Sequence, residues 1–267
     1  MHRARFYTMM KKTLHSERER GHAMEHLDQL FPGGPRFYYD DSHFPPGTDT
    51  FLLGAFPSLR PGERVCDLGC GCGLLGLLLL AREASLHITG VELQPEAAAL
   101  AEKTAAANGL EDRLVCLRAD LRDASQLPQA GSFDLCVANP PYFPVGSGAP
   151  ASGDARRSAR SEETATLEQV CAAAARLLRW GGRFALCFRP ERLTDLLCTL
   201  RQQGLEPKRL RRVEARAGRA PSLVLAEARR GGRPGLQLEA PLVLTGADGQ
   251  PTADYNAAYF RHMEDMP

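Results

Sequence analysis

Three acids and one rigid corner stand at the ends of successive short apolar runs. Asp67 lies at the end of the run 63–68, Glu92 near the end of 86–93, and Asp120 just after 113–118. The corner, Asn139-Pro140-Pro141-Tyr142-Phe143, follows 133–138. It can present two hydrogen-bond acceptors, the side-chain oxygen of Asn139 and the backbone carbonyl of Pro140. The prolines fix φ and restrict the residue before them, so both acceptors are held rigidly. An exocyclic amine on a heterocycle is a poor nucleophile because its lone pair is delocalised into the ring. Acceptors aimed at its two hydrogens favour a pyramidal nitrogen and release that lone pair. Tyr142 adds a ring on which a flat target can stack. Asn-Pro-Pro is also a good turn in its own right.

The acids define what sits opposite the amine. Asp67 belongs to Val65-Cys66-Asp67-Leu68-Gly69-Cys70-Gly71-Cys72-Gly73. Glycines there let the chain turn sharply and let a ligand touch the backbone. Gly71-x-Gly73-x-x-Gly76 also fits a dinucleotide fingerprint, a weak signal alone. A carboxylate beside the turn would repel a pyrophosphate and attract an ammonium. S-adenosylmethionine carries an ammonium and a sulfonium and no phosphate. Glu92 can accept both ribose hydroxyls. Asp120 can reach an adenine amino group, or can serve as a turn or cap aspartate.

These residues need a scaffold that gathers strand ends. The pattern reads as strands 63–68, 86–93, 113–118, 133–138 and 183–188, alternating with helices 73–82, 95–108, 165–179 and 191–203. Such alternation makes an α/β fold, a mostly parallel sheet with helices on both faces. Two late strands, near 208–213 and 222–228, follow each other without a helix and form an antiparallel last pair. Residues 1–46 read as an N-terminal extension, 47–230 as the main domain and 231–267 as a Gly- and Pro-rich tail. The stretch 144–163 reads as a long loop beside the corner, a length that usually carries function or disorder.

Composition excludes several classes. Hydrophobic content of 43% and charged content of 24% are ordinary for a globular protein. The longest apolar run, 74–81, is too short to span a bilayer. The basic N-terminus lacks the apolar stretch of a secretory signal, and Met9 and Met10 offer later starts. A cytoplasmic protein without a membrane partner is expected. Of the eight cysteines, Cys66, Cys116, Cys136 and Cys187 fall in strands, and Cys171 and Cys198 on apolar helix stripes. No CxxC pair occurs, so no metal site is expected. The net charge of +1 hides a basic segment from Pro207 to Arg233, where nine basic residues oppose Glu214 and Glu227. Such a segment fits a polyanion contact or a solvated arginine face.

The glycine motif, the acids and Asn-Pro-Pro-Tyr resemble class I S-adenosylmethionine-dependent methyltransferases. The resemblance covers about 63–228. It implies a Rossmann-like seven-stranded sheet with a reversed last strand. Further stretches narrow it: His43-Phe44-Pro45-Pro46-Gly47-Thr48-Asp49-Thr50, the continuation of the corner through Gly148, and the strand Glu206-Pro207-Lys208-Arg209-Leu210-Arg211-Arg212-Val213. Together they resemble the tRNA adenine-N6 methyltransferases that modify adenine 37 of a valine tRNA. The resemblance implies catalysis by Asn139, Pro140, Pro141 and Tyr142. It implies that S-adenosylmethionine is bound by Thr48, Asp49, Asp67, Gly69, Gly71, Glu92, Leu93, Asp120, Leu121 and Asn139. It implies tRNA contacts by Phe143, Arg156, Arg157, Arg160, Lys208, Arg209, Arg211 and Arg212. The chain departs from the family in carrying Arg160-Ser161-Glu162 where members often have Arg-His-Glu. Tyr255 and Tyr259 are expected to pack the tail onto the domain. Sequence leaves open a protein glutamine-N5 methyltransferase, another RNA amine methyltransferase, and a non-enzymatic RNA-binding protein. The oligomeric state is not encoded legibly.

Overall fold

The computed structural model describes residues 24–40, 46–140 and 165–261. A small hairpin, β1 (Glu25–Gln29) and β2 (Arg36–Asp40), opens the described chain. Helix α1 (Thr48–Ala55) follows. Then come β3 (Arg64–Leu68), α2 (Leu74–Arg82), β4 (His87–Glu92), α3 (Pro95–Ala106), β5 (Leu114–Arg118) and β6 (Phe133–Ala138). Beyond them lie α4 (Leu167–Leu177), β7 (Leu178–Phe188), a 3-10 turn (Pro190–Arg192), α5 (Leu193–Gln202), β8 (Leu205–Arg216) and β9 (Pro221–Arg230). The tail supplies β10 (Gln237–Leu238), β11 (Leu242–Thr245) and α6 (Ala253–Ala258).

The main sheet has the order β10-β8-β9-β7-β6-β3-β4-β5, with β11 also on β8. Only β9 runs against its neighbours, as the class I expectation requires. The seven long strands are those expected. The two short tail strands enlarge the sheet to nine by pairing parallel to β8. Helix α4 ends two residues earlier than its apolar stripe predicts. The chain enters β7 at Leu178 and passes through Trp180-Gly181-Gly182 as strand, with a register shift against β6. A stop signal for a helix here doubles as an irregular strand start. The N-terminal hairpin is fastened to α3, where Asn108 Oδ1 accepts from Arg36 N and Thr104 Oγ1 from Tyr38 N.

Strand alternation divides the core between two layers. Cys66, Leu68, Cys136, Ala138, Phe184 and Leu186 face α4 and α5. Val65, Leu135, Val137, Ala185 and Cys187 face the opposite layer, with α1, α2 and α6. By the same alternation, Asp67 and Asn139 belong to the second layer. The fold therefore brings the acid of the glycine motif and the amide of the corner to one side of adjacent strands. Gly76 makes that layer tight: a β-carbon there would lie 2.8 Å from Leu114 and 2.9 Å from Ile88. Cys198 corrects its expectation, since it is exposed on α5, whereas Cys171 is buried.

Candidate active site

Parallel strands deliver their carboxyl ends to one edge, and ligands of open α/β sheets bind there. Asp67, Glu92, Asp120 and Asn139 all arrive at that edge, at the ends of β3, β4, β5 and β6. The glycine loop after β3 has φ of 75° at Gly69 and 54° at Gly71. A β-carbon at either would meet nothing within 4 Å. Backbone torsion, not crowding, requires glycine here, and the space beside the loop is open. Gly69 N donates to Val91 O at 2.8 Å. Gly71 N donates to Glu92 Oε2 at 2.8 Å and Gln94 N to Glu92 Oε1 at 2.9 Å. Each Glu92 oxygen is thus aimed by one amide and keeps lone pairs for further donors.

Asp67 is 1% exposed. The Gly76 backbone of α2 favours its charged form, but only weakly. Its Oδ2 is buried without a hydrogen-bond partner among the described residues. Burial first, and then the neighbouring Glu92 charge, push its pKa up to about 7. A buried unsatisfied oxygen marks a place where a donor belongs. A cationic donor would both satisfy Oδ2 and relieve the repulsion from Glu92. The donor set therefore fits the ammonium end of S-adenosylmethionine and does not fit a pyrophosphate.

Asn139 is clamped from two sides. Its Nδ2 donates to Thr50 Oγ1 of α1 at 3.0 Å. Its Oδ1 accepts from Cys187 Sγ of β7 at 3.0 Å. Register explains the second contact: Ala138 pairs with Leu186, so the next residues, Asn139 and Cys187, are level. A further clamp reaches Thr48, whose Oγ1 accepts from the Tyr259 hydroxyl at 3.1 Å. The Tyr259 ring stacks on Phe51 of α1 at 4.3 Å and 5°, and Arg261 lies over it. Burial pushes the Tyr259 phenol well up. Thr50, Cys187 and Phe51 had no separate signal in the sequence. Thr50 only adjoined the Thr48-Asp49 pair.

The remaining expected residues divide clearly. Leu93 is among the exposed large apolar side chains, next to Glu92. Leu121 packs partly buried against the α4–α5 core. Asp120 is held as a turn aspartate: its carboxylate accepts from Arg122 N and from the Arg122 guanidinium, which lowers its pKa. Arg209 bonds Glu239 and Glu227 and lies over Phe56. Arg211 pairs with Asp254, Arg212 with Glu214, and Lys208 Nζ donates to Arg233 O. Much of the basic segment is therefore neutralised by carboxylates, two of them from the tail. Pro141, Tyr142, Phe143, Arg156, Arg157 and Arg160 lie outside the described residues. Among the described residues no cluster could hold a metal ion, and no helix is long and apolar enough to cross a membrane. Cys70 turns to Cys116, with its sulfur at 3.6 Å.

The methyltransferase small-domain family matches residues 41–192. A tRNA1(Val) (adenine(37)-N6)-methyltransferase of Porphyromonas gingivalis is 37% identical over 68% of this chain and 72% of its own. The protein of that name from Dickeya chrysanthemi is 34% identical over 78% and 83%. The chain belongs to this methyltransferase family. Among solved structures, a predicted O-methyltransferase from Agrobacterium tumefaciens superposes with a TM-score of 0.64. It is 22% identical and covers 79% of this chain and 96% of that one, a likeness of fold. Family membership makes the chain an N-methyltransferase with S-adenosylmethionine as methyl donor.

Proposed function

We propose that this chain methylates the exocyclic N6 of an adenine in tRNA, at position 37 beside the anticodon of a valine tRNA. The carrying observation is the clamped carboxamide of Asn139 at the end of β6, on the same face as Asp67 at the end of β3. S-adenosylmethionine supplies, when bound, a methyl group made electrophilic by its sulfonium. Asp67 receives the ammonium, Glu92 the ribose hydroxyls, and Asp120, through the lone pairs its Arg122 bonds leave over, the adenine amine. Gly69 and Gly71 let the ligand lie against backbone, and Leu93 and Leu121 give it apolar cover. Thr48 and Asp49 close the methionine end. Asn139 Oδ1 and the Pro140 carbonyl accept from the target amine, with Pro141 holding the corner and Tyr142 and Phe143 stacking the base. A nitrogen–carbon bond forms as a sulfur–carbon bond breaks, and the amine proton leaves with or after transfer. Rate comes from positioning, and no strong base is needed first.

An adenine in a single-stranded loop can be unstacked more cheaply than one in a duplex. Arg156, Arg157 and Arg160 are proposed to meet the RNA backbone, with Arg212 the most exposed of the four expected β8 contacts. Arg209 and Arg211 contribute through the tail carboxylates they hold, and Lys208 through its own ammonium. A tRNA substrate supports a cytoplasmic location. The test is transfer from radiolabelled S-adenosylmethionine to bulk unmodified tRNA, followed by nucleoside analysis. Labelled N6-methyladenosine is expected. Label in a release-factor glutamine, with none in tRNA, would replace this reading by the glutamine-N5 one.

A further inference from the structure

The basic segment is not one surface. Pairing of Leu205 with Arg230 and of Arg183 with Arg229 puts Arg229, Arg230 and the following Arg233 at the amino edge of the sheet. That edge is opposite the active site. Arg229 and Arg230 there donate to the carbonyls of Gly181 and Leu178. The other end of the same hairpin points the other way. Cys187 is level with Leu225, and Leu225 with Arg211, so Arg211 stands in the row of Asn139. Strand β8 continues five residues beyond that row, to Arg216, before the turn into β9 at Pro221. The β8–β9 hairpin thus projects past the carboxyl edge, on the active-site side.

Its tip is built and charged. Residues 215–220 are all exposed. Glu214, itself buried, accepts from Arg212 Nε at 2.7 Å and from Gly218 N at 2.8 Å. Arg219 N donates to Arg216 O at 3.1 Å, which closes the turn. The side chains of Arg216 and Arg219 meet no carboxylate among the described residues. They differ in this from Arg209 and Arg211, whose charge is matched by Glu239, Glu227 and Asp254. At ~4.8 Å per strand and ~3.3 Å per residue, the tip stands about 20 Å from Asn139. That is too far for the nucleotide being methylated and its immediate neighbours. It suits the phosphates of a helical stem beyond the loop that carries the target.

We propose that the β8–β9 tip, through Arg216 and Arg219, grips the phosphate backbone of the double-helical stem flanking the target loop. The contact reads the stem by shape and charge, without base sequence. It rests on the RNA reading of the active site, and it adds a second point of attachment that sets the distance from stem to base. The rigid Glu214 brace keeps that distance fixed.

The experiment compares Arg216→Ala with Arg219→Ala against Arg201→Ala with Arg233→Ala. Each double variant removes two exposed positive charges, the second pair at the amino edge. Each is assayed on an unmodified tRNA stem–loop and on a linear oligonucleotide of the same loop sequence. Wild type is expected to favour the stem–loop. The tip variant should raise KM for the stem–loop about tenfold and lower the log–log salt dependence by roughly 1 to 2. It should leave turnover of the linear RNA and cofactor affinity unchanged. The amino-edge variant should stay near wild type. Equal losses in both variants, or no loss at the tip, or an equal loss on both RNAs, would overturn the proposal. Failure of wild type to methylate either RNA would instead strike at the RNA reading itself.

Discussion

A single carboxamide carries the acceptor chemistry, and its orientation decides its use. Asn139 could turn either its oxygen or its nitrogen towards a substrate amine. Thr50 Oγ1 takes a hydrogen from Nδ2, and Cys187 gives one to Oδ1, so oxygen and nitrogen have distinct, opposite neighbours. Asn139→Ala should abolish transfer, by at least 10²-fold, with cofactor binding retained, as for loss of one preorganised polar group. Thr50→Val should lower kcat about tenfold, one hydrogen bond's worth, while Thr50→Ser keeps it. Equal losses in both Thr50 variants, or a change in KM alone, would refute the orienting role. Asp67 gives a pH signature. Its folded pKa of about 7 is above its ordinary 3.8. Stability from that raised value is therefore full below pH 4 and is lost as pH rises through 7. The ligand-free protein should lose up to a few kcal/mol across that window. S-adenosylmethionine should bind more weakly below pH 7, where Asp67 is protonated. Calorimetry at pH 6 and 8 would check both, and Asp67→Asn should flatten the two curves. Asp67 and Asn139 were legible because strand-end acids and Asn-Pro-Pro are local patterns. Thr50 and Cys187 were not, because only register and a helix from another part of the chain bring them to Asn139.

The elements are ordered by what covers the site. Helix α1 holds Thr48, Thr50 and Phe51 on one short run, and α6 locks it from the outside. Tyr259→Phe should cost about 1 kcal/mol through the lost bond to Thr48. Tyr259→Ala also loses the stack on Phe51 and should cost about 2 to 4 kcal/mol. Thermal unfolding measures both, and equal shifts would show that the ring contributes nothing beyond its hydroxyl. Helix α2 has no slack where it crosses the sheet. Gly76→Ala should destabilise by about 1 to 3 kcal/mol, since its new methyl would press on Leu114 and Ile88. The seven long strands were legible from apolar runs at regular intervals. The tail strands were not: β10 is two residues long, and its pairing with β8 is set by a neighbour some thirty residues earlier. Leu178 was misassigned to a helix because its apolar side chain suits the core from either element.

At the scale of the molecule, the two edges of the sheet do different work. The amino edge is knitted by ion pairs, among them Arg183 with Glu63 at 2.6 Å, both nearly buried. Glu63→Ala should cost about 3 to 5 kcal/mol by leaving that guanidinium poorly paired, with activity per folded molecule unchanged. The carboxyl edge holds the acids, the amide and the exposed arginines of the β8–β9 tip, Arg216 and Arg219. Net charge concealed this polarity, since +1 over the chain says nothing of where charge lies. The basic segment was visible in the sequence, but its neutralisation by Glu239 and Asp254 was not.

The hydroxyl contact between Tyr259 and Thr48 joins positions 211 residues apart. Its consequence is one of timing. A nascent chain emerging from a ribosome can build the glycine loop and the central strands early, from neighbours in sequence. The α1 end of the pocket waits for residue 259 to be made. A nascent chain stalled before residue 259 would thus carry the strand ends and the glycine loop without the clasp over Thr48, so completion of this enzyme's pocket waits on a residue made more than two hundred positions after the helix it closes.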